Sequence, residues 1–158
     1  MFKDEKRGYE WLKSRMDYVW EKYFPDIPKD NKVIILFKGR WKNKFGHIQQ
    51  LPSKNTWIAI NKLFQDERIP EFIVDLTIAH EICHYAHGFQ SPLERKYKHP
   101  HKGGVVNKEL IKRGLGEELR QEKPWMEKEW LNIYHSYFPK RDKVKRRRGL
   151  FLKPFSYF

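Results

Sequence analysis

EFIVDLTIAHEICHYAHG, residues 71–88, is the most apolar stretch of the chain, and its reading decides the fold. Phe72, Ile73, Leu76, Ala79, Cys83 and Ala86 recur at the steps that build one buried helix stripe. Pro70 suits a first turn, Glu67 and Glu71 suit the positive helix end, and Gly88 offers a stop. The spacing predicts a helix from about Pro70 to Gly88, and on it His80 to His84 reads H-E-x-x-H. Four residues is just over one turn, so His80 and His84 project from one face with Cβ atoms about 5–6 Å apart, close enough to share a cation. Glu81 lies roughly 100° further round, where a general base for a water on that cation belongs. The pentapeptide reads as half of a catalytic zinc site. Helical rise carries His87 past a cation shared by His80 and His84, so it is expected to support the site or to lie at the surface.

A third ligand has to come from elsewhere. Residues 90–100 are polar and basic and contain prolines, as a loop over the helix end would, and they deliver KHPHKGG with His99 and His101 both on offer. A helical pattern resumes through Val106, Leu110 and Ile111 and stops at Gly114. Three histidines plus water complete an open catalytic zinc site. A carboxylate from Glu109, Glu117 or Glu118 is the other source of a third ligand. From Arg95 to Arg113 seven cations face one acid, Glu109, so the site is expected in a positive field.

Upstream, Tyr9, Leu12, Met16, Val19, Trp20 and Tyr23 give a 3.6-residue period that Pro25 and Pro28 end. VIILF (Val33–Phe37) and TWIAI (Thr56–Ile60) are short β-branched runs, as buried strands would be, with RWKNKFGHI between them as another strand or a hairpin arm. Downstream, Pro124 is expected to open a last helix through Met126, Trp130, Ile133, Tyr134 and Tyr137, closed by Pro139.

The charge is unevenly placed. With 33 Lys and Arg against 20 Asp and Glu among 158 residues, the net charge of +13 points to a polyanionic partner, nucleic acid first. From Lys38 to Lys62 there are six cations and no acid, interleaved with Trp41, Phe45 and Trp57, a mix suited to single-stranded nucleic acid. Lys38, Arg40, Lys42 and Lys44 are the candidate contacts there, and Arg146, Arg147 and Arg148 are the candidates in the basic tail. Cys83 is the only cysteine, which excludes an intramolecular disulfide and a four-cysteine zinc ribbon. No apolar run reaches the roughly 18 to 20 residues of a bilayer span, and the N-terminus has no apolar signal core, so a cytoplasmic protein is expected, nucleoid-associated in a prokaryote, with no membrane partner.

From about Val33 to Leu115 the chain resembles the SprT-like zinc metalloproteases, the family that includes the Spartan-type enzymes degrading proteins crosslinked to DNA. The likeness runs through R-x-x-x-x-F-G at Arg40 to Gly46, H-E-x-x-H, and H-x-G-x-V-x-N-x-E-L-x-x-R-G-L from His101 to Leu115. It implies that His80, His84 and His101 bind Zn2+, that Glu81 is the base and acid, and that the substrates are peptide bonds in DNA-associated proteins. It also implies an α+β, zincin-like fold with helices packed on a small, mostly antiparallel sheet and the H-E-x-x-H helix at the core. Residues 1–138 would form one such domain and residues 139–158 a basic tail. Val105 departs from the aromatic residue usual four places after the third histidine. The alternative from another class is a basic nucleic-acid-binding protein whose metal site is structural or vestigial.

Overall fold

Leu12, Met16, Val19 and Trp20 fall on one side of α1 (Tyr9–Tyr23), and all four are buried. The helix stops at Phe24, and the Trp20 indole donates to the Ile27 carbonyl at 2.8 Å, turning the chain toward the sheet. The computed structural model describes residues 6–141. Arg146, Arg147 and Arg148 therefore lie outside the described residues, as does most of the basic tail.

Three strands follow, β1 (Val33–Phe37), β2 (Gly46–Gln50) and β3 (Thr56–Ile60), in the order β1-β3-β2. The expectation of a mostly antiparallel sheet is corrected here. β3 pairs antiparallel with β2 but parallel with β1, so the sheet is mixed. A short turn at residues 51–55, with Lys54 at φ 71°, makes β2 and β3 a hairpin, while the longer 38–45 connection carries β2 to the outer edge. β3 then fills the gap beside β1 and runs in its direction.

Register assigns the two faces. Ile34, Trp57 and Gln49 align across the strands, as do Leu36, Ala59 and His47, so these six side chains share one face. Val33, Ile35 and Phe37 of β1 join Ile58, Ile60 and Ile48 on the other, which packs into the core.

α2 (Glu71–Ala86) is that core's axis. The sequence predicts one buried stripe, yet every residue from Leu76 to Ala86 is buried, because α1, α3, α4 and the sheet surround the helix. The α+β class and the central place of the H-E-x-x-H helix stand as expected. α3 (Val105–Lys112) and α4 (Gly116–Trp125) come next. Pro124 does not open a helix: it lies inside α4, which passes through a π turn at Met126–Trp130 into α5 (Leu131–Tyr137). The missing proline N–H is followed at once by the widened turn, where the helical ladder readjusts.

The basic 38–45 connection is pinned from behind. The buried Asn61 donates from Nδ2 to the carbonyls of Trp41 (2.8 Å) and Lys44 (2.9 Å), and the Trp130 indole donates to that of Lys42 (2.8 Å). Phe45, considered as a stacking platform, is instead core, packed on Phe64 and Trp130 at 4.9 and 5.0 Å between centroids. Among the described residues no helix is long and apolar enough to cross a membrane.

Candidate metal centre

His80 and His84 sit one turn apart on the buried helix α2, with their Nε2 atoms 3.1 Å from each other. His101 reaches them from a different element. Its Nε2 lies 3.0 Å from that of His84, and one ligand atom from each of the three histidines lies within 4.8 Å of the others. A tetrahedral zinc with Zn–N bonds near 2.0–2.1 Å would hold such atoms about 3.4 Å apart; the His80–His84 and His84–His101 separations lie within a few tenths of an ångström of that, and the whole set lies within 4.8 Å.

The chain after α2 is folded back to make this possible. Phe89 N donates to the His84 carbonyl (2.9 Å), Lys96 N to that of His87 (2.9 Å), and the Ser91 hydroxyl to that of Tyr85 (2.7 Å). Gln90 ties the same loop to the sheet: its side-chain oxygen accepts from Gln50 N and its carbonyl from the Thr56 hydroxyl, both at 2.9 Å. Gly103 and Gly104, at φ 76° and 66°, then turn the chain sharply from His101 into α3, a path open to glycine at little cost. His80 and His84 are buried and His101 is exposed, so the cluster opens to solvent on the His101 side.

The other third-ligand candidates are placed elsewhere. His99 is exposed and outside the cluster, Glu109 turns to Arg113, Glu117 turns to Arg120, and Glu118, whose Oε2 is buried, is also outside the cluster. Arg113 is a clasp between α3 and the end of α1, pairing with Asp26 at 2.6 Å and donating to the Tyr23 carbonyl at 2.8 Å. His87, which the sequence places in support or at the surface, is buried at 3% exposure between the Cys83 sulfur (3.7 Å) and the Tyr97 ring. Burial pushes the Cys83 thiol up to about 12, so it stays protonated and inert.

Glu81 is 1% exposed, and its Oε2 has no hydrogen-bond partner among the described residues. Burial raises its carboxyl to about 8, against the pull of the Lys44 charge, which favours ionisation. An enclosed carboxyl with an unanswered oxygen beside three converging imidazoles fits a site built around a cation. Partial burial of the ring lowers the proton affinity of His101, which favours the neutral form that can act as a ligand. Imidazole sets suit zinc among several transition metals.

Sequence reasoning missed two contributors. Gly46 backs onto Glu81: a Cβ there would lie 3.0 Å from Glu81 Oε1. A glycine within a strand is a legible sign of close approach, but not of what approaches. Lys44, counted among the nucleic-acid contacts, is drawn partly inward, where its field reaches Glu81 and its Nζ lies 3.1 Å from His47 Nδ1. Of the other candidate contacts, Lys38 and Arg40 are exposed and the Lys42 ammonium lies over the Tyr134 ring at 5.9 Å. Compared with protein-family models, curated proteins and solved structures, the chain matches none.

Proposed function

We propose that the protein is a zinc-dependent metallopeptidase of the SprT-like type, hydrolysing peptide bonds in DNA-associated proteins with a water activated at the cluster. The observation that carries this reading is the convergence of His80, His84 and His101 beside the buried carboxyl of Glu81. His80, His84 and His101 would hold the zinc through Nε2. The metal, when bound, supplies a Lewis acid that lowers the pKa of a water and polarises a substrate carbonyl.

Glu81 does the proton work. With the metal bound beside it, the Glu81 carboxylate would accept a proton from the attacking water and pass it to the leaving amine, and its Oε2, which no described residue engages, is the atom free to do so. β2 holds that carboxyl in place from behind through Gly46. The cluster's solvent side, at His101, is where a peptide can approach.

The alternative, a basic binding protein with a structural metal, asks for a fourth protein ligand. Among the described residues the cluster has three, the catalytic number. The test is zinc content and cleavage of casein or a DNA-bound protein by wild type and Glu81→Gln. The variant is expected to keep its zinc and lose at least about 100-fold in cleavage rate. A variant as active as wild type overturns the reading.

A further inference from the structure

The face of the sheet turned away from α2 combines apolar, aromatic and basic side chains. It carries Ile34, Leu36 and Trp57, none of which packs against the core, although Val33 and Phe37 of the same strand as Ile34 do. Trp57 is half-buried and its Nε1 is enclosed, which seats the ring on the sheet. From it a continuous line of contacts runs to the edge of the sheet. The Lys38 ammonium lies over the Trp57 ring at 4.6 Å, His47 meets the other side of the line at 6.0 Å from Trp57, Lys44 Nζ approaches His47 Nδ1 at 3.1 Å, and Lys44 lies over Trp41 at 4.6 Å.

Two properties of this strip identify an occupant. Residues 32–65, which supply the whole face, contain no Asp or Glu, so a polyanion meets no repulsion from it. Cations and flat rings also alternate along it, as phosphates and bases alternate along a single strand. The connection bearing Trp41 and Lys44 is fixed by Asn61 and Trp130, so the platforms are preorganised. Lys38 and Lys44 now cover the two indoles, but a lysine over a ring is a weaker partner than a stacked base. A strand would displace the ammonium groups from the rings onto its phosphates.

We propose that this outer sheet face binds single-stranded nucleic acid, with Trp57 and Trp41 as stacking platforms and Lys38 and Lys44 as phosphate contacts. The proposal deepens the peptidase reading by naming the surface for its DNA partner, and it rests on that reading only for the link between binding and cleavage. It removes Phe45 from the platforms.

The experiment is fluorescence anisotropy of a labelled oligothymidylate with full-length protein, in a Glu81→Gln background so that binding is read without cleavage. Trp57→Leu is expected to weaken binding at least about tenfold and Trp57→Phe less than about threefold, with both variants folded by circular dichroism. Lys38→Gln should reduce the salt dependence of binding as well as its strength. A duplex of equal length should bind at least about tenfold more weakly than the single strand, because its bases are already stacked. Unchanged affinity in Trp57→Leu and Trp41→Leu, or polyglutamate competing as well as unlabelled single strand, overturns the proposal, the latter in favour of an acidic protein partner. Wild-type protein that binds the strand but does not cleave a DNA-bound protein would count against the peptidase reading alone.

Discussion

The Cβ that Gly46 lacks would stand 3.0 Å from Glu81 Oε1 and 2.9 Å from Thr77 Cγ2, so β2 crosses α2 at backbone distance beside the proposed base. Both contacts are tighter than ordinary van der Waals packing. A methyl group there has to move the strand or the carboxyl.

Gly46→Ala is therefore expected to destabilise the fold by about 1–3 kcal/mol, the usual cost of overpacking a tight core site. Cleavage should fall more than about tenfold while zinc stoichiometry stays at that of wild type, since His80, His84 and His101 are not displaced. Urea denaturation, metal analysis and a cleavage assay on the same preparation check the three parts. A variant with wild-type cleavage would show that β2 does not position Glu81.

His101 and His99 are two residues apart, and only His101 joins the cluster. His101→Ala should weaken zinc binding at least about tenfold, and His99→Ala by less than about twofold, in competition against a chromogenic chelator. The reverse order would reassign the third ligand.

Asn61 is fully buried and uses both ends of its amide, donating to Trp41 and Lys44 carbonyls and accepting from Leu63 N at 3.0 Å. Asn61→Ala strips one buried and two part-buried backbone groups of their partner and is expected to cost about 2–4 kcal/mol, measured by urea denaturation. Proteolysis should then cut first within residues 38–45.

Asp66 joins the end of α5 to the turn before α2. Hydrogen bonds from the Arg68 guanidinium, and then from the Tyr137 hydroxyl at 2.5 Å, hold its carboxyl well below the usual carboxylate range. A depressed folded pKa means that the unfolded chain takes up this proton first. The contribution is thus complete above the unfolded value of about 3.9 and is lost as pH falls toward the folded one. Arg68 is half exposed, so screening limits the effect to about 1–2 kcal/mol. The stability gap between wild type and Asp66→Asn should be constant from about pH 7 to about 5 and close as pH drops toward about 2, read by thermal melts across that range.

Much of the scaffold was legible in the chain because its signals are local. VIILF and TWIAI become β1 and β3 at their expected limits, and Pro70 and Gly88 flank α2 as capping chemistry predicts. The helical step that pairs His80 with His84 is also a local matter. Pro124 misled because it sits inside a helix that runs on through a π turn, a continuation that no local rule announces. The parallel pairing of β1 and β3 depended on where a distant hairpin came to rest.

By itself, then, the sequence determined the α+β class, the helix that carries H-E-x-x-H, and the short roster from which a third ligand had to come. Tertiary structure alone decided that His101 and not His99 joins the pair, that Lys44 reaches His47 and Trp41 while Phe45 enters the core, and that Trp57 stands on the sheet's outer face. Those outcomes rest on loop closure, on strand register and on which side of a sheet the helices cover. Each is fixed by contacts between residues far apart in the chain, where neither helical period nor strand alternation carries information.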